Sequence, residues 1–213
     1  MKKLITTVCI VMATLLVHAQ SEKFVAAMQK NIAQIDAAFA TPDALINLAN
    51  NFERIGNAEK NQWLPYYYAA YCQVNYAYMQ KDATGNDALA DKAQRWVALA
   101  DSLQPNNSEI SCVKSMIASI RMLVNPQQRF MEYGALSEKE LKNAKEQDPT
   151  NPRPYLLKGQ TLKYTPEQYG GGCKKAMTEL EKAAEKFAAF KVASNIHPNW
   201  GGDYTNKLIA ECK

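Results

Sequence analysis

Past its first nineteen residues this sequence holds a single histidine, His197. Any Ser-His-Asp or Cys-His arrangement, and any histidine-based metal site, has to use it. The sequence also lacks a C-x-x-C pair, which removes zinc-ribbon and thioredoxin-type readings. Period-two alternation of apolar residues is missing, so no strand is expected. No stretch after the leader approaches the roughly 18 uninterrupted apolar residues of a membrane-spanning helix. With Lys2 and Lys3 set aside, 23 basic side chains face 21 acidic ones and no basic run stands out. Nucleic acid and membrane surfaces therefore find no electrostatic footprint here.

What is present begins with a leader. Lys2 and Lys3 precede an apolar run, Leu4 to Val17, and Val17-His18-Ala19 supplies small residues at the cleavage-determining positions. That order describes a secretory signal peptide over residues 1–19, leaving 20–213 as a single exported domain. The expected location is the periplasm, with the cell surface and the medium left open. Four cysteines remain after cleavage: Cys72, Cys112, Cys173 and Cys212. The oxidising compartment permits disulfides, while buried free thiols are the alternative.

Apolar residues recur at three and four, which predicts helices over roughly 21–39, 42–55, 63–80, 87–103, 108–123, 138–147, 152–164, 173–190 and 203–212. Thr41-Pro42, Asn125-Pro126 and Asn151-Pro152 place a capping side chain before a proline, and Ser137-x-x-Glu140 has the spacing of a capping box. A short helical insert runs from Pro126 to Tyr133. The last two long helices should run antiparallel, which brings Cys173 beside Cys212 and makes that pair the expected bridge. Whether Cys72 and Cys112 are bridged or free stays open.

Three further features bear on function. Trp63, Tyr66, Tyr67, Tyr68, Tyr71, Tyr76 and Tyr78 crowd one helix; at about 100° per residue they cannot all face one way. Gly170-Gly171-Gly172-Cys173-Lys174-Lys175 is the nearest thing to a phosphate loop, but no strand precedes it and the P-loop spacing is absent. A turn between paired helices accounts for the glycines. His197, followed by Pro198, falls in the loop before the last helix.

The segment 137–159 sets the architecture. Moving the chain by 44 positions lays Val97, Ala100, Pro105 and Asn107 over Leu141, Ala144, Pro149 and Asn151. Ala144 and Pro149 close one helix, while Tyr155 and Gly159 open the next. This junction resembles that between consecutive tetratricopeptide repeats, and Trp63-Leu64-Pro65-Tyr66 with Ala70 resembles a further helix A. The 44-residue spacing exceeds the usual 34 of that family, and the insert at 125–136 is foreign to it. The chain is also similar to exported bacterial repeat proteins that share Tyr-Gly-Gly-Gly and Pro-x-Trp-Gly elements. The resemblance implies an all-α fold: a right-handed α-solenoid of about four antiparallel helix hairpins with a C-terminal cap helix.

It also implies a non-enzymatic scaffold whose concave A-helix face binds a peptide segment or another envelope protein, with no cofactor. The register places Arg153, Gln160, Lys163 and Tyr164 on that face, and Tyr67, Tyr71 and Asn75 from the first repeat. The alternative is a small-ligand or glycan-binding module using exposed Tyr and Trp. A third reading is a hydrolase built on His197, which requires a cleft with a carboxylate behind the imidazole.

Overall fold

The computed structural model describes residues 22–213; the leader and its cleavage point lie outside them. The described chain is all-helical. The elements are α1 (22–32), α2 (Ile35–Ala38), α3 (Pro42–Glu59), α4 (Trp63–Tyr78), α5 (Asn86–Leu103), α6 (Ser108–Leu123), α7 (Pro126–Arg129), α8 (Ala135–Gln147), α9 (Arg153–Tyr164), α10 (Cys173–Ala189) and α11 (Gly202–Glu211). No described helix is long and apolar enough to cross a membrane.

Each long helix packs on the next along the chain, and α4, α6 and α9 also touch one another in series. Alternate helices α4, α6 and α9 therefore share one side. The hub is α4, buried on nearly every side from Leu64 to Val74, as expected of a helix that is apolar all round. By contrast α10 buries one stripe, Ala176, Leu180 and Ala183.

Small residues allow the close approaches. A Cβ on Gly159 would stand 2.6 Å from Leu180 Cδ2, so α9 meets α10 at a distance only glycine permits. The 170–172 turn explains its glycines by backbone conformation: φ is +87° at Gly170 and +95° at Gly172. All three N–H groups of that turn donate to carbonyls of Leu162, Pro166 and Glu167. None is left for a phosphate.

Cap chemistry holds where asparagine supplies it. Asn107 Oδ1 accepts from the N–H groups of Glu109 and Ile110, and Asn125 Oδ1 from that of Gln128. The expected box at Ser137 does not form. The insert passes through a π-helical turn, Phe130–Gly134, straight into α8, so Ser137 lies inside the helix. Its buried hydroxyl contacts Ser115 Oγ at 2.8 Å instead. The first predicted helix also breaks, at residues 33–34.

Two cores result, a large one around α3–α6 and a smaller one between α9, α10 and α11. Trp200 packs against both. It sits in the segment 190–201, which leaves α10 and crosses back over α4 and α9 before α11 begins.

Candidate functional site

The crossing segment is held by three hydrogen bonds to helices that it would not meet if it were a free loop. Tyr68 Oη donates to the Ile196 carbonyl at 3.2 Å, and Arg153 Nη2 donates to that of Pro198 at 2.7 Å. Trp200 Nε1 donates to Tyr67 Oη at 2.7 Å. Beneath it lies a polar centre. Arg153 is 0% exposed and bonds Glu109 Oε1 through Nη1 at 2.8 Å. Glu109 also accepts from Asn151 Nδ2 at 2.9 Å and from Tyr67 Oη at 3.2 Å.

Aromatic rings enclose that pair. The guanidinium lies 4.9 Å from the Phe190 ring centre and 5.1 Å from that of Trp200. Tyr71 packs on Trp200 at 4.8 Å, and Tyr67 lies parallel to Tyr71 at 6.3 Å. Burial disfavours charge throughout this centre. It pushes Tyr67 and Tyr71 well above the usual phenol range. It also pushes the Glu109 carboxyl up, against the opposing pull of Arg153 and its hydrogen-bond donors.

A cavity of about 890 Å³ opens beside the centre, between the α5–α6 turn, the α8–α9 turn and the crossing segment. Trp63, Phe190 and His197 give it ring surface, Glu109, Asn107 and Asn151 give it polar wall, and Lys186 and Lys191 stand at its border. His197 is fixed in a small turn: its Nδ1 contacts Ser194 Oγ at 2.7 Å, and its ring meets Trp63 edge-on at 5.9 Å. Burial holds its pKa below the ordinary 6.5. No carboxylate hydrogen-bonds the imidazole, so the orienting group of a hydrolase relay is missing among the described residues.

The residues expected on the binding face fall in two places. Tyr67, at 0% exposure, Tyr71, at 5%, and Arg153 do face the side shared by α4, α6 and α9, but the chain's own segment 190–201 covers them. Asn75 is half-buried and donates to the Tyr71 carbonyl of its own helix. Gln160 is half-buried, Lys163 pairs with Glu211 of α11 at 2.8 Å, and Tyr164 is 62% exposed. The seven residues are thus split between a filled centre and an outer seam beside α11.

Sequence reasoning missed Glu109, Asn107, Asn151 and Phe190. One signal was available: Glu109 falls opposite Arg153 in the same 44-residue shift that aligns Pro105 with Pro149. Cys173 and Cys212 are joined, with Cα atoms 5.2 Å apart, and Cys72 and Cys112 are buried free thiols.

Among solved structures, the HusA haemophore from Porphyromonas gingivalis is 38% identical to this chain. The match covers 89% of this chain and 92% of that one, with a TM-score of 0.80. No protein-family model and no curated protein sequence matches the chain.

Proposed function

The chain belongs to the family of the HusA haemophore, and from that membership we propose that it is an exported carrier of a planar aromatic ligand of the haem class. The observation that carries this reading is identity of 38% along nearly the whole length of a protein named for haem. The small-ligand reading gains from it, and the peptide-scaffold reading loses further because segment 190–201 covers the expected groove. Binding without chemical turnover follows, as does a place outside the cytoplasm. The helix order is read as a right-handed solenoid of tetratricopeptide-like hairpins, supported by the serial packing of α4, α6 and α9.

The cavity beside the crossing segment is the assigned ligand site. About 890 Å³ lies within the range of small-molecule sites. Trp63 and Phe190 offer surface for an aromatic macrocycle. Lys186 and Lys191 are placed to meet its carboxylates. Among the described residues no group of three or more metal-ligating side chains exists. A bond to haem iron would fall to His197.

The test is absorbance and Trp fluorescence titration with haemin and with metal-free protoporphyrin IX, in the wild type and His197→Ala. Saturable quenching and a Soret shift are expected for at least one ring. Loss of haemin with protoporphyrin retained in the variant gives His197 the iron. Equal retention of both gives recognition to ring faces and carboxylates. Failure of both rings to bind the wild type overturns the proposal.

A further inference from the structure

Apart from the cavity, one cluster of charge has no evident counterpart. The Tyr155 ring of α9 is only 9% exposed, yet three ammonium groups converge on it. Lys145 Nζ of α8 stands 4.4 Å from the ring centre, and Lys182 Nζ and Lys186 Nζ of α10 stand 5.0 Å from it. No two of these nitrogens can be more than about 10 Å apart, a distance at which like charges still repel at a protein surface.

The local compensation is partial. Glu179 reaches Lys145 Nζ at 3.2 Å. Lys186 Nζ donates to the Pro149 carbonyl at 2.7 Å, which positions the ammonium without neutralising it. Neither Lys182 nor Lys186 has an ion-pair partner among the described residues; Glu181 and Glu185, their neighbours in sequence, engage neither. The π face of one tyrosine attracts each cation but carries no net charge. Three ammonium groups against one carboxylate leave two positive charges gathered over a single ring.

We propose that Lys145, Lys182 and Lys186 form a binding site for a compact oxyanion of the phosphate class. Three helices supply the cluster, so its geometry is set by the packing of α8, α9 and α10 and not by one flexible loop. Lysine suits the task as a strongly hydrated point charge with several donors that re-aim around a tetrahedral anion. The convergence on one ring matches a single small group better than an extended acidic chain, whose charges are spaced along its length. The glycine turn at 170–172, the other place where an anion was conceivable, has spent its N–H groups internally. This site shares Lys186 with the border of the ring-binding cavity, whereas Lys145 and Lys182 lie outside that cavity's lining, so phosphate shifts at those two residues separate it from the ring-binding reading.

The experiment is an NMR titration of the oxidised protein with inorganic phosphate and pyrophosphate at constant ionic strength, with chloride as the control. Saturable shifts are expected at Lys145, Tyr155, Lys182 and Lys186, with a pyrophosphate Kd in the millimolar range or tighter. The double variant Lys182→Gln/Lys186→Gln, whose folding is checked by circular dichroism, should weaken binding by about tenfold or more. Co-sedimentation with phosphatidylglycerol and phosphatidylcholine vesicles identifies the source. Variant-sensitive binding to phosphatidylglycerol assigns a lipid headgroup, and binding of soluble phosphates alone assigns a free phosphate. Shifts that stay linear, saturate elsewhere, or persist unchanged in the double variant overturn the site.

Discussion

Arg153 and Glu109 are 44 residues apart in the chain and 2.8 Å apart in space, at corresponding first-turn positions of α9 and α6. Tyr67, at the same level of α4, completes a ladder by bonding Glu109 from 42 residues upstream. Three helices that pack in series thus place a phenol, a carboxylate and a guanidinium in one row. The row is where segment 190–201 docks, because Arg153 and Tyr67 each spend a second bond on it.

The first prediction concerns that pair. Arg153→Met removes the partner of a buried carboxylate, and breaking a buried pair in this way costs about 3–5 kcal/mol. Replacing both, as Arg153→Met/Glu109→Leu, should restore a large part of the loss, since no unpaired charge remains. Urea unfolding of the three proteins measures it. Single variants that cost less than about 1 kcal/mol, a value typical of exposed pairs, would place the ion pair at the surface.

Tyr71 and Tyr164 separate the filled centre from the outer seam. Tyr71→Ala removes a ring stacked on Trp200 at 4.8 Å and 5% exposed, so a loss of about 3–5 kcal/mol is expected, as for other large aromatic truncations in cores. Tyr164→Ala should stay within about 0.5 kcal/mol, as exposed substitutions do. Thermal melts followed by near-ultraviolet circular dichroism distinguish the two. Equal melting temperatures for both variants would argue that segment 190–201 does not cover Tyr71.

Much of this fold is legible in local sequence. Helix periodicity and the Asn125 cap each follow from side-chain chemistry within a turn or two. The antiparallel run of α10 and α11 places Cys173 beside Cys212 by the same reasoning. The binding face is not legible in that way. Which positions of α4 and α9 point inward follows from their periodicity, but whether they meet solvent depends on where residues 190–201 travel. That path is decided by Ile196, Pro198 and Trp200 finding partners on Tyr68, Arg153 and Tyr67, up to 133 residues away. Ser137 illustrates the same limit: its spacing to Glu140 satisfies a capping box, and a π turn upstream extends the helix past it. The cavity combines four separate chain segments and has no continuous motif.

The cysteines should behave as two unlike pairs. Reducing Cys173–Cys212, or replacing both by serine, opens a loop spanning 39 residues, which in the chain-entropy model costs about 3–4 kcal/mol. Burial pushes the Cys72 and Cys112 thiols far up and away from reactive thiolate. Native oxidised protein should therefore give no reaction with a thiol reagent at neutral pH, and unfolded, unreduced mature protein should release two thiols. Rapid labelling of Cys72 or Cys112 in the native state would show that α4 or α6 opens locally.

His197 predicts the sign of a pH effect. Burial lowers its pKa in the folded protein below the ordinary 6.5, so an unfolded chain takes up a proton first as the solution is acidified. Unfolding then binds more protons than folding retains, and stability must fall as pH drops below about 6.5. The fall ends once pH passes the lower folded value, where both states are protonated. His197→Asn removes this contribution and keeps a polar side chain able to reach Ser194. Its stability relative to wild type should rise between neutral pH and about pH 5, read from urea midpoints at a series of pH values. The comparison between variants isolates His197 from the buried Glu109, which titrates in both. A difference that stays flat across the range, or one of opposite sign, would mean that the imidazole is as well solvated in the cavity wall as in the unfolded chain.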